Sequence, residues 1–223
     1  MSWYAKTSGG YPKESAEAHN NATEIFNILK TRGWTDNAIY ACLGNLDHEG
    51  QYNPWRWESD NVPTYEEYQS WDESEQRRHG YGMWGFTPAS KYIASSYARS
   101  IRGYAPNFSN LTGGSTDGYA QTYFMDSGGS GWIVRERFNN MTFAEFKTSN
   151  QSLYTAVKVF LYCFENPANP ELSLQSRYEA ALYWQEYFTG VQPQPDPDPP
   201  DPDPDPPAPV FISDLRRWKF YLF

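Results

Sequence analysis

The sequence predicts a mainly α-helical (α+β) domain, and three observations support this prediction. Apolar residues recur at helical spacing near both ends of the region 15–191. Between about 50 and 86 this periodicity is lost, and Trp, Tyr, Asn, Pro and Gly dominate, which indicates loops or short strands. Residues 192–209 contain so many prolines that they exclude helix and sheet and predict a semi-rigid spacer.

Two helices are predicted near the N-terminus. Residues 21–33 are apolar at helical spacing and reach Gly33, a plausible stop. Residues 35–49 carry an i, i+4, i+7 apolar stripe, and Thr35 is predicted to cap them. The apolar positions are Ile25, Ile28 and Leu29 in the first helix and Ile39, Leu43 and Leu46 in the second.

Four further helices are predicted after the central region. The first begins at Thr87-Pro88, with Thr as the cap and Pro at the first helical position. The second begins at Thr142, where the sequence has the form of a capping box. The clearest helical patterns follow, over residues 151–165 and 172–188.

This pattern predicts four parts. Residues 1–14 form an N-terminal arm, residues 15–191 form the folded domain, and residues 192–209 form the Pro/Asp-rich linker. Residues 210–223 form a short tail that is aromatic and basic and too short to fold alone.

The charge composition argues against a nucleic-acid-binding protein. The net charge is −9, and five of the acidic residues lie in residues 192–209, so the rest of the chain carries about −4. A nucleic-acid-binding domain normally shows a basic face instead. No run approaches the roughly 18 apolar residues of a membrane span, and no Sec-type signal peptide opens the chain. We therefore expect neither nucleic acid nor a membrane span, and export by another route.

The cysteine and histidine pattern predicts neither a metal site nor a cofactor. Cys42 and Cys163 lie among apolar residues and are interpreted as free buried thiols, with a disulfide as the alternative. The three histidines, His19, His48 and His79, are scattered and lack zinc-ligand spacing.

Glu49 is the first candidate for a catalytic residue. On a helical wheel it falls about 80° from Ile39, at the edge of the apolar stripe and at the end of the predicted helix. Partial desolvation and the negative end of the helix dipole both disfavour the charged form of a carboxyl. A carboxyl that keeps its proton is what a general acid requires. The alternative is an ordinary surface glutamate at a frayed helix end.

Aromatic and acidic residues follow Glu49 within one loop. Trp55 and Trp57 suit a sugar cleft, since one ring can stack on a pyranose and the other can exclude water from the acid. Glu58 and Asp60 offer a second carboxylate. Glycosidases usually place two carboxyl groups on either side of the bond they cut.

Residues 44–54, GNLDHEGQYNP, resemble the phage tail lysozyme family, whose helix ends in G-N-[ML]-x-x-E-[SG]-x-x-N-P. Residues 80–89, GYGMWGFTPA, are similar to that family's G-[YF]-G-[LM]-x-Q-[WF]-T-P-A motif. Residues 117–121 resemble its Gln-bearing segment, and residues 156–167 resemble its late helix. The resemblance covers about residues 15–188.

The resemblance implies a lysozyme-like, mainly α fold and cleavage of the MurNAc–GlcNAc β-1,4 bond of bacterial peptidoglycan, with Glu49 as the catalytic acid. The glycine-rich segment would line the cleft and let the glycan approach the backbone closely. The candidate substrate-binding residues are Tyr52, Asn53, Trp55, Trp57, Tyr81, Gly82, Trp84, Thr87 and Gln121.

Two positions depart from the family pattern and leave the reaction open. The usual Ser after the catalytic Glu is Gly50 in this chain, and the usual Gln before the T-P-A turn is Gly85. A muramidase is the first hypothesis. A lytic transglycosylase acting on the same bond and a non-catalytic wall-binding tail module are the alternatives.

The identity of the second catalytic group also stays open. Asp60 is the favoured candidate, Glu58 is its rival, and Asp72 is a weaker one. The spacing from Glu49 through Glu58 to Thr64 is similar to the E-x8-D-x5-T spacing of some phage lysozymes. If neither carboxylate takes part, a single catalytic Glu remains, as in lytic transglycosylases.

The predicted partners follow from this reading. Peptidoglycan is the expected substrate, and other phage tail proteins are candidate partners of residues 210–223. The expected location is the tail of a phage virion, or the host cell wall after release from a prophage-bearing cell.

Overall fold

The computed structural model describes residues 3–100, 117–128 and 131–192, and these residues form ten α-helices and no β-strand. The mainly helical prediction is therefore confirmed. The predicted linker beyond residue 192 and the predicted tail lie outside the described residues.

The ten helices of the described residues range from four residues, as in α4, to 19 residues in α10. They are α1 (Ala16–Thr31), α2 (Asp36–Leu46), α3 (Tyr65–Ser70), α4 (Glu73–Gln76), α5 (Ser90–Ile93), α6 (Ser96–Arg99), α7 (Asp117–Asp126), α8 (Phe143–Lys147), α9 (Leu153–Phe160) and α10 (Glu171–Thr189). Two 3-10 segments, Glu58–Asp60 and Glu136–Phe138, and a π-helical turn, Leu161–Glu165, complete the order. None of these helices has the length and apolar content needed to cross a membrane.

The expected β contribution is reduced to isolated contacts in the part of the chain that the structure describes. Trp57 forms an antiparallel bridge with Tyr81, and Tyr81 forms a second one with Phe86. These bridges hold the glycine-rich loop against the segment that follows α2.

Helix α2 is the centre of the fold. It packs against both α9 and α10, and every residue from Ala38 to Leu46 is buried. A helix that is buried on all sides belongs in a core rather than at a surface. Cys42 in α2 and Cys163 in the π-helical turn are buried free thiols, which confirms the prediction for both.

Gly44 permits the close crossing of α2 and α10. A Cβ atom added there would lie 2.5 Å from the backbone oxygen of Arg177 and 2.7 Å from Cβ of Ala181. Both distances are shorter than atoms tolerate, so only glycine allows α10 to approach this closely. The crossing brings α10 to the residues that follow α2 in sequence.

Two predicted details at the first two helices are wrong. Helix α1 begins at Ala16 rather than at residue 21, because the hydroxyl of Ser15 accepts a hydrogen bond from the backbone N–H of Ala18 and caps the helix earlier. Thr35 occupies the N-cap position of α2 but does not cap it with its side chain. Its hydroxyl donates instead to the backbone oxygen of Ser149, which ties α2 to the segment after α8.

The helix predicted to begin at Thr87-Pro88 is also different. The hydroxyl of Thr87 donates to the backbone oxygen of Gly85, so it does not cap a helix, and α5 begins at Ser90. The hydroxyl of Ser95 then accepts from the backbone N–H of Ala98 and starts α6. A single predicted helix is therefore two short ones.

The remaining predicted helices are present. Thr142 and Glu145 form the predicted capping box of α8. Helix α9 and the π-helical turn together span the predicted segment 151–165, and α10 spans the predicted segment 172–188.

We expect Gly44→Ala to lower the free energy of unfolding by about 1–3 kcal/mol, the usual cost of overpacking a core. Helix propensity alone predicts the opposite sign, since alanine in a helix interior is favoured over glycine by about 1 kcal/mol. Urea unfolding of the variant and the native protein measures the difference. A gain in stability would show that α2 and α10 are not in steric contact at Gly44.

Candidate active site

Glu49 lies just beyond the end of α2. The helix ends at Leu46 and not at residue 49 as predicted, and the backbone N–H of Glu49 donates to the oxygen of Leu46 in a tight turn. The Glu49 side chain is 26% exposed, so its carboxylate is partly desolvated and still reachable from solvent.

Arg177 holds the Glu49 side chain from α10. Its Nη2 atom donates to Oε1 of Glu49 at 2.7 Å, and its Nη1 atom donates to both the backbone and the side-chain oxygen of Asn45 at 3.2 and 3.1 Å. The guanidinium is only 5% exposed. A buried arginine beside a carboxylate forms a strong charge-assisted pair and fixes the geometry of both groups.

Sequence reasoning missed Arg177, although one signal was available. Arg177 lies on the buried, mostly apolar face of α10, together with Leu174, Tyr178 and Ala181. A charged residue on a buried helical face needs a charged or polar partner, because an unpaired buried charge is costly. The pattern indicates that a partner exists but not which residue it is.

Arg56 supports the backbone of the same turn. Its Nη1 atom donates to the backbone oxygen of Glu49 at 3.2 Å and to Oε1 of Gln51 at 2.9 Å. Its Nε atom donates to Oδ1 of Asp60 at 3.2 Å. The sequence analysis also missed Arg56, which lies between Trp55 and Trp57 in the sequence.

Two pockets meet at Glu49. One has a volume of about 350 Å³ and extends past Glu58 and Thr87. The other has a volume of about 550 Å³ and extends past Trp132 and Phe164. A polymer chain that occupied both pockets would therefore pass the carboxyl group of Glu49.

Of the two predicted second carboxylates, Glu58 lines the first pocket and Asp60 does not. The Glu58 side chain accepts a hydrogen bond from the backbone N–H of Gly80 at 2.8 Å. Oδ1 of Asp60 accepts from the backbone N–H of Gly9 at 2.7 Å and from Arg56, so it ties the N-terminal arm to this loop. Asp72 caps α4 through the backbone N–H of Glu75.

Steric contacts explain why glycine occupies the two positions, Gly50 and Gly85, that depart from the family pattern. A Cβ atom on Gly50 would lie 2.1 Å from Cα of Met83, since the glycine-rich loop packs directly on the turn. Gly85 has φ of +58°, and a Cβ atom there would lie 3.1 Å from Oε2 of Glu49. Both positions therefore bring backbone close to the catalytic candidate.

Most of the aromatic residues predicted to bind substrate are buried. Tyr52, Trp57, Tyr81 and Trp84 are at most 1% exposed, so none of them presents an open ring face. Trp57 still contributes to the wall of the first pocket, and Trp84 contributes to the wall of the second. Trp55 is partly exposed and lines neither pocket.

Asn53 and Gln121 are fully buried and hold the loops in place. Asn53 donates to the backbone oxygens of Lys6 and Gly9, which fastens the N-terminal arm under the turn. Gln121 accepts from the backbone N–H of Met83 at 3.0 Å and donates to the oxygen of Pro54 at 2.6 Å.

Gly82 and Thr87, two of the predicted substrate-binding residues, line the first pocket. Gly82 has φ of +86°, and a Cβ atom there would lie 2.4 Å from Oε1 of Gln121. Only glycine fits this turn between the pocket and the buried amide behind it.

Behind the glycine-rich loop lies a buried carboxyl, Asp117. The hydroxyls of Tyr81 and Tyr92 both donate to it. Burial raises the pKa of Asp117 to about 7, and the two tyrosine hydroxyls oppose this shift without cancelling it. Asp117 therefore fixes Tyr81 from the interior side.

No three His, Cys, Asp or Glu side chains within the described ranges come close enough together to hold a metal ion. The described site contains carboxylates, guanidinium groups and backbone amides.

Comparison with known proteins gives two findings. The family model for the phage tail lysozyme matches residues 20–188. Morphogenesis protein 1 of Bacillus phage B103 is 32% identical over 180 residues, which is 76% of this chain and 40% of the relative. The chain therefore spans less than half of the length of that curated relative.

Asp117→Asn tests the buried carboxyl behind the loop. Between about pH 4, where an exposed aspartate titrates, and about pH 7, the folded protein holds a proton that the unfolded chain has released. The free energy of unfolding of the native protein should therefore fall as the pH rises through this window. We expect a fall of a few kcal/mol at most, because one pKa unit corresponds to about 1.4 kcal/mol.

The asparagine variant carries no titrating proton at this site, so it should lack this part of the pH dependence. Urea unfolding at the two ends of the window, for both proteins, gives the comparison. An equal slope with pH in both proteins would contradict the assignment.

Proposed function

Because the chain belongs to the phage tail lysozyme family, we propose that it cleaves the β-1,4 bond between MurNAc and GlcNAc in bacterial peptidoglycan, with Glu49 as the general acid. The observation that carries the proposal is the position of Glu49 at the junction of two pockets. A glycan that fills both pockets presents its bridging oxygen to this carboxyl.

The contacts of Glu49 suit the state that follows proton transfer. One carboxylate oxygen is held by Arg177, while Oε2 faces the bare backbone of Gly85. After the proton passes to the leaving oxygen, Glu49 carries a negative charge, and Arg177 stabilises that charge in place. An electrostatic partner that is already oriented costs no reorganisation during the reaction.

Glu58 is our proposal for the second carboxylate, in place of Asp60. Glu58 lines the same pocket as Glu49 and is exposed to it, so it can orient a water molecule or stabilise an oxocarbenium-like transition state. Asp60 does not line that pocket, and its Oδ1 atom accepts hydrogen bonds from Gly9 and Arg56.

The buried residues of the segments that resemble the family then act on substrate indirectly. We propose that Tyr52, Asn53, Tyr81 and Gln121 hold the walls of the cleft through their buried hydrogen bonds. Of the predicted residues that line the pockets, the exposed Thr87 is our proposed contact with the glycan, while Trp57, Gly82 and Trp84 are buried in the pocket walls.

The relative in phage B103 is named as a morphogenesis protein, and the match covers only part of it. We propose that this chain acts as part of a phage particle, or at the host wall after release. Association of the segment 210–223 with other tail proteins is part of this proposal.

Glu49→Gln should lower kcat/KM on purified cell walls by at least about a hundredfold, because an amide cannot supply the proton that a general acid contributes. The amide oxygen can still accept from Arg177, so the fold should be unchanged by circular dichroism. Glu179→Gln, at an exposed position of α10, is the matched control and should retain full activity.

Mass spectrometry of the native digest identifies the reaction. A muramidase leaves reducing ends, whereas 1,6-anhydro products would assign the chain to the lytic transglycosylases. Near-native activity of Glu49→Gln would remove Glu49 from the mechanism.

Glu58→Gln and Asp60→Asn form a matched pair, since each keeps its backbone hydrogen bond and removes only the charge. We expect Glu58→Gln to lower kcat by about a hundredfold or more with little change in KM, and Asp60→Asn to change kcat by only a few-fold. Steady-state kinetics on soluble glycan fragments measures both. The reverse order would return the role to Asp60, and two active variants would leave Glu49 as the single catalytic carboxyl.

A further inference from the structure

A third pocket adjoins the two pockets that meet at Glu49. It has a volume of about 440 Å³ and is lined by Thr87, Pro88, Lys91, Glu73 and Arg77. Thr87 lines all three pockets, and Lys91 lines the second and the third. The third pocket is therefore a side pocket of the path that we propose for the glycan.

The side pocket carries more positive than negative charge, although the chain as a whole has a net charge of −9. Lys91 and Arg77 provide two cations, against the single carboxylate of Glu73. Lys91 is exposed, and within the described ranges it takes part in no ion pair. Its ammonium group is therefore available to a ligand that enters the pocket.

Arg77 is only weakly engaged by its present partner. It pairs with Glu73, one helical turn earlier, and the two side chains are 68% and 83% exposed. Exposed ion pairs contribute at most about 1 kcal/mol, because water and salt screen them and two long side chains must be ordered. Arg77 can therefore exchange Glu73 for a ligand carboxylate at little cost.

Peptidoglycan supplies a carboxylate that branches off the glycan. Every second sugar of the strand, the MurNAc, carries a short stem peptide with free carboxylates. In the glycan path itself the exposed Glu58 would repel such a carboxylate, whereas Lys91 in the side pocket attracts it. The distribution of charge therefore directs the peptide out of the path and into the side pocket.

We propose that the side pocket is a subsite for the stem peptide of MurNAc, in which Lys91, supported by Arg77, binds a peptide carboxylate. This inference rests on the proposed function, because the peptide reaches the pocket from a glycan that lies in the cleft. It names the peptide-bearing strand, rather than bare glycan, as the preferred substrate. Since only every second sugar carries a peptide, a carboxylate bound at a fixed place favours one of the two kinds of β-1,4 bond at Glu49.

Two soluble strands that differ only in their stem peptides test the subsite. In one strand the peptide carboxylates are free, and in the other they are amides of nearly the same shape without charge. We expect the native protein to have a kcat/KM about fivefold higher on the charged strand at low salt, the effect of one exposed ion pair. The preference should shrink at high salt, which screens exposed charges.

Variants of Lys91 should change this preference in a fixed order. Lys91→Arg keeps the charge and should keep the preference, whereas Lys91→Met removes the charge and should bring the ratio of the two kcat/KM values towards one. Lys91→Glu reverses the charge and should favour the amidated strand. Lys30→Met is the matched control, since Lys30 is exposed and lines none of these three pockets, and it should keep the native preference.

An equal loss on both strands in Lys91→Met would overturn the proposal, because it would mean that Lys91 supports the fold or contacts the glycan itself. A native protein that does not distinguish the two strands would also overturn it. If the native protein cleaves neither strand, the proposed function fails, and calorimetry with the same two strands still tests the subsite. Tighter binding of the charged strand that is lost in Lys91→Met would support the subsite, and equal affinities would overturn it.

Discussion

The contact of Arg177 with Glu49 and Asn45 is the interaction on which the site depends. It joins α10 to the end of α2 across 128 positions of sequence between Arg177 and Glu49. Gly44 allows the helices to cross closely enough for the guanidinium to reach both partners. Removing one member would leave a buried charge or a buried polar group unpaired, which costs far more than the contact itself contributes. The position of Glu49 and the crossing of α2 with α10 are therefore fixed by the same contact.

A second layer of buried polar groups keeps the opposite side of the cleft rigid. Gln121 fixes the backbone of Met83, and Asp117 fixes the ring of Tyr81. The N-terminal arm is fastened beneath the turn by Asn53. Small shifts of a catalytic group cost a large part of its effect, so support of this kind is expected around a site that must stay preorganised. It also explains why so many residues of the two motifs are buried rather than exposed to substrate.

Local sequence patterns predicted the structure correctly where the hydrogen-bonding or packing partner lies nearby in the sequence. The capping box at Thr142 and the apolar stripe of α9 lie within a few residues of what they stabilise, and both are present. The same kind of reasoning was wrong where a distant partner competed. Thr35 donates to Ser149 instead of capping α2, and Thr87 turns back to Gly85, so the helix predicted there begins later.

The sequence by itself determined the mainly helical class, the buried thiols and the position of Glu49 in a family motif. These follow from periodicity and from spacing within short segments, which the chain carries wherever it folds. Only the tertiary structure decided that Arg177 holds Glu49 and that Glu58 rather than Asp60 lines the first pocket. Each of these depends on how a side chain is directed once separate segments have packed together. The burial and charge that result come from residues far apart in the chain, so no local pattern contains them.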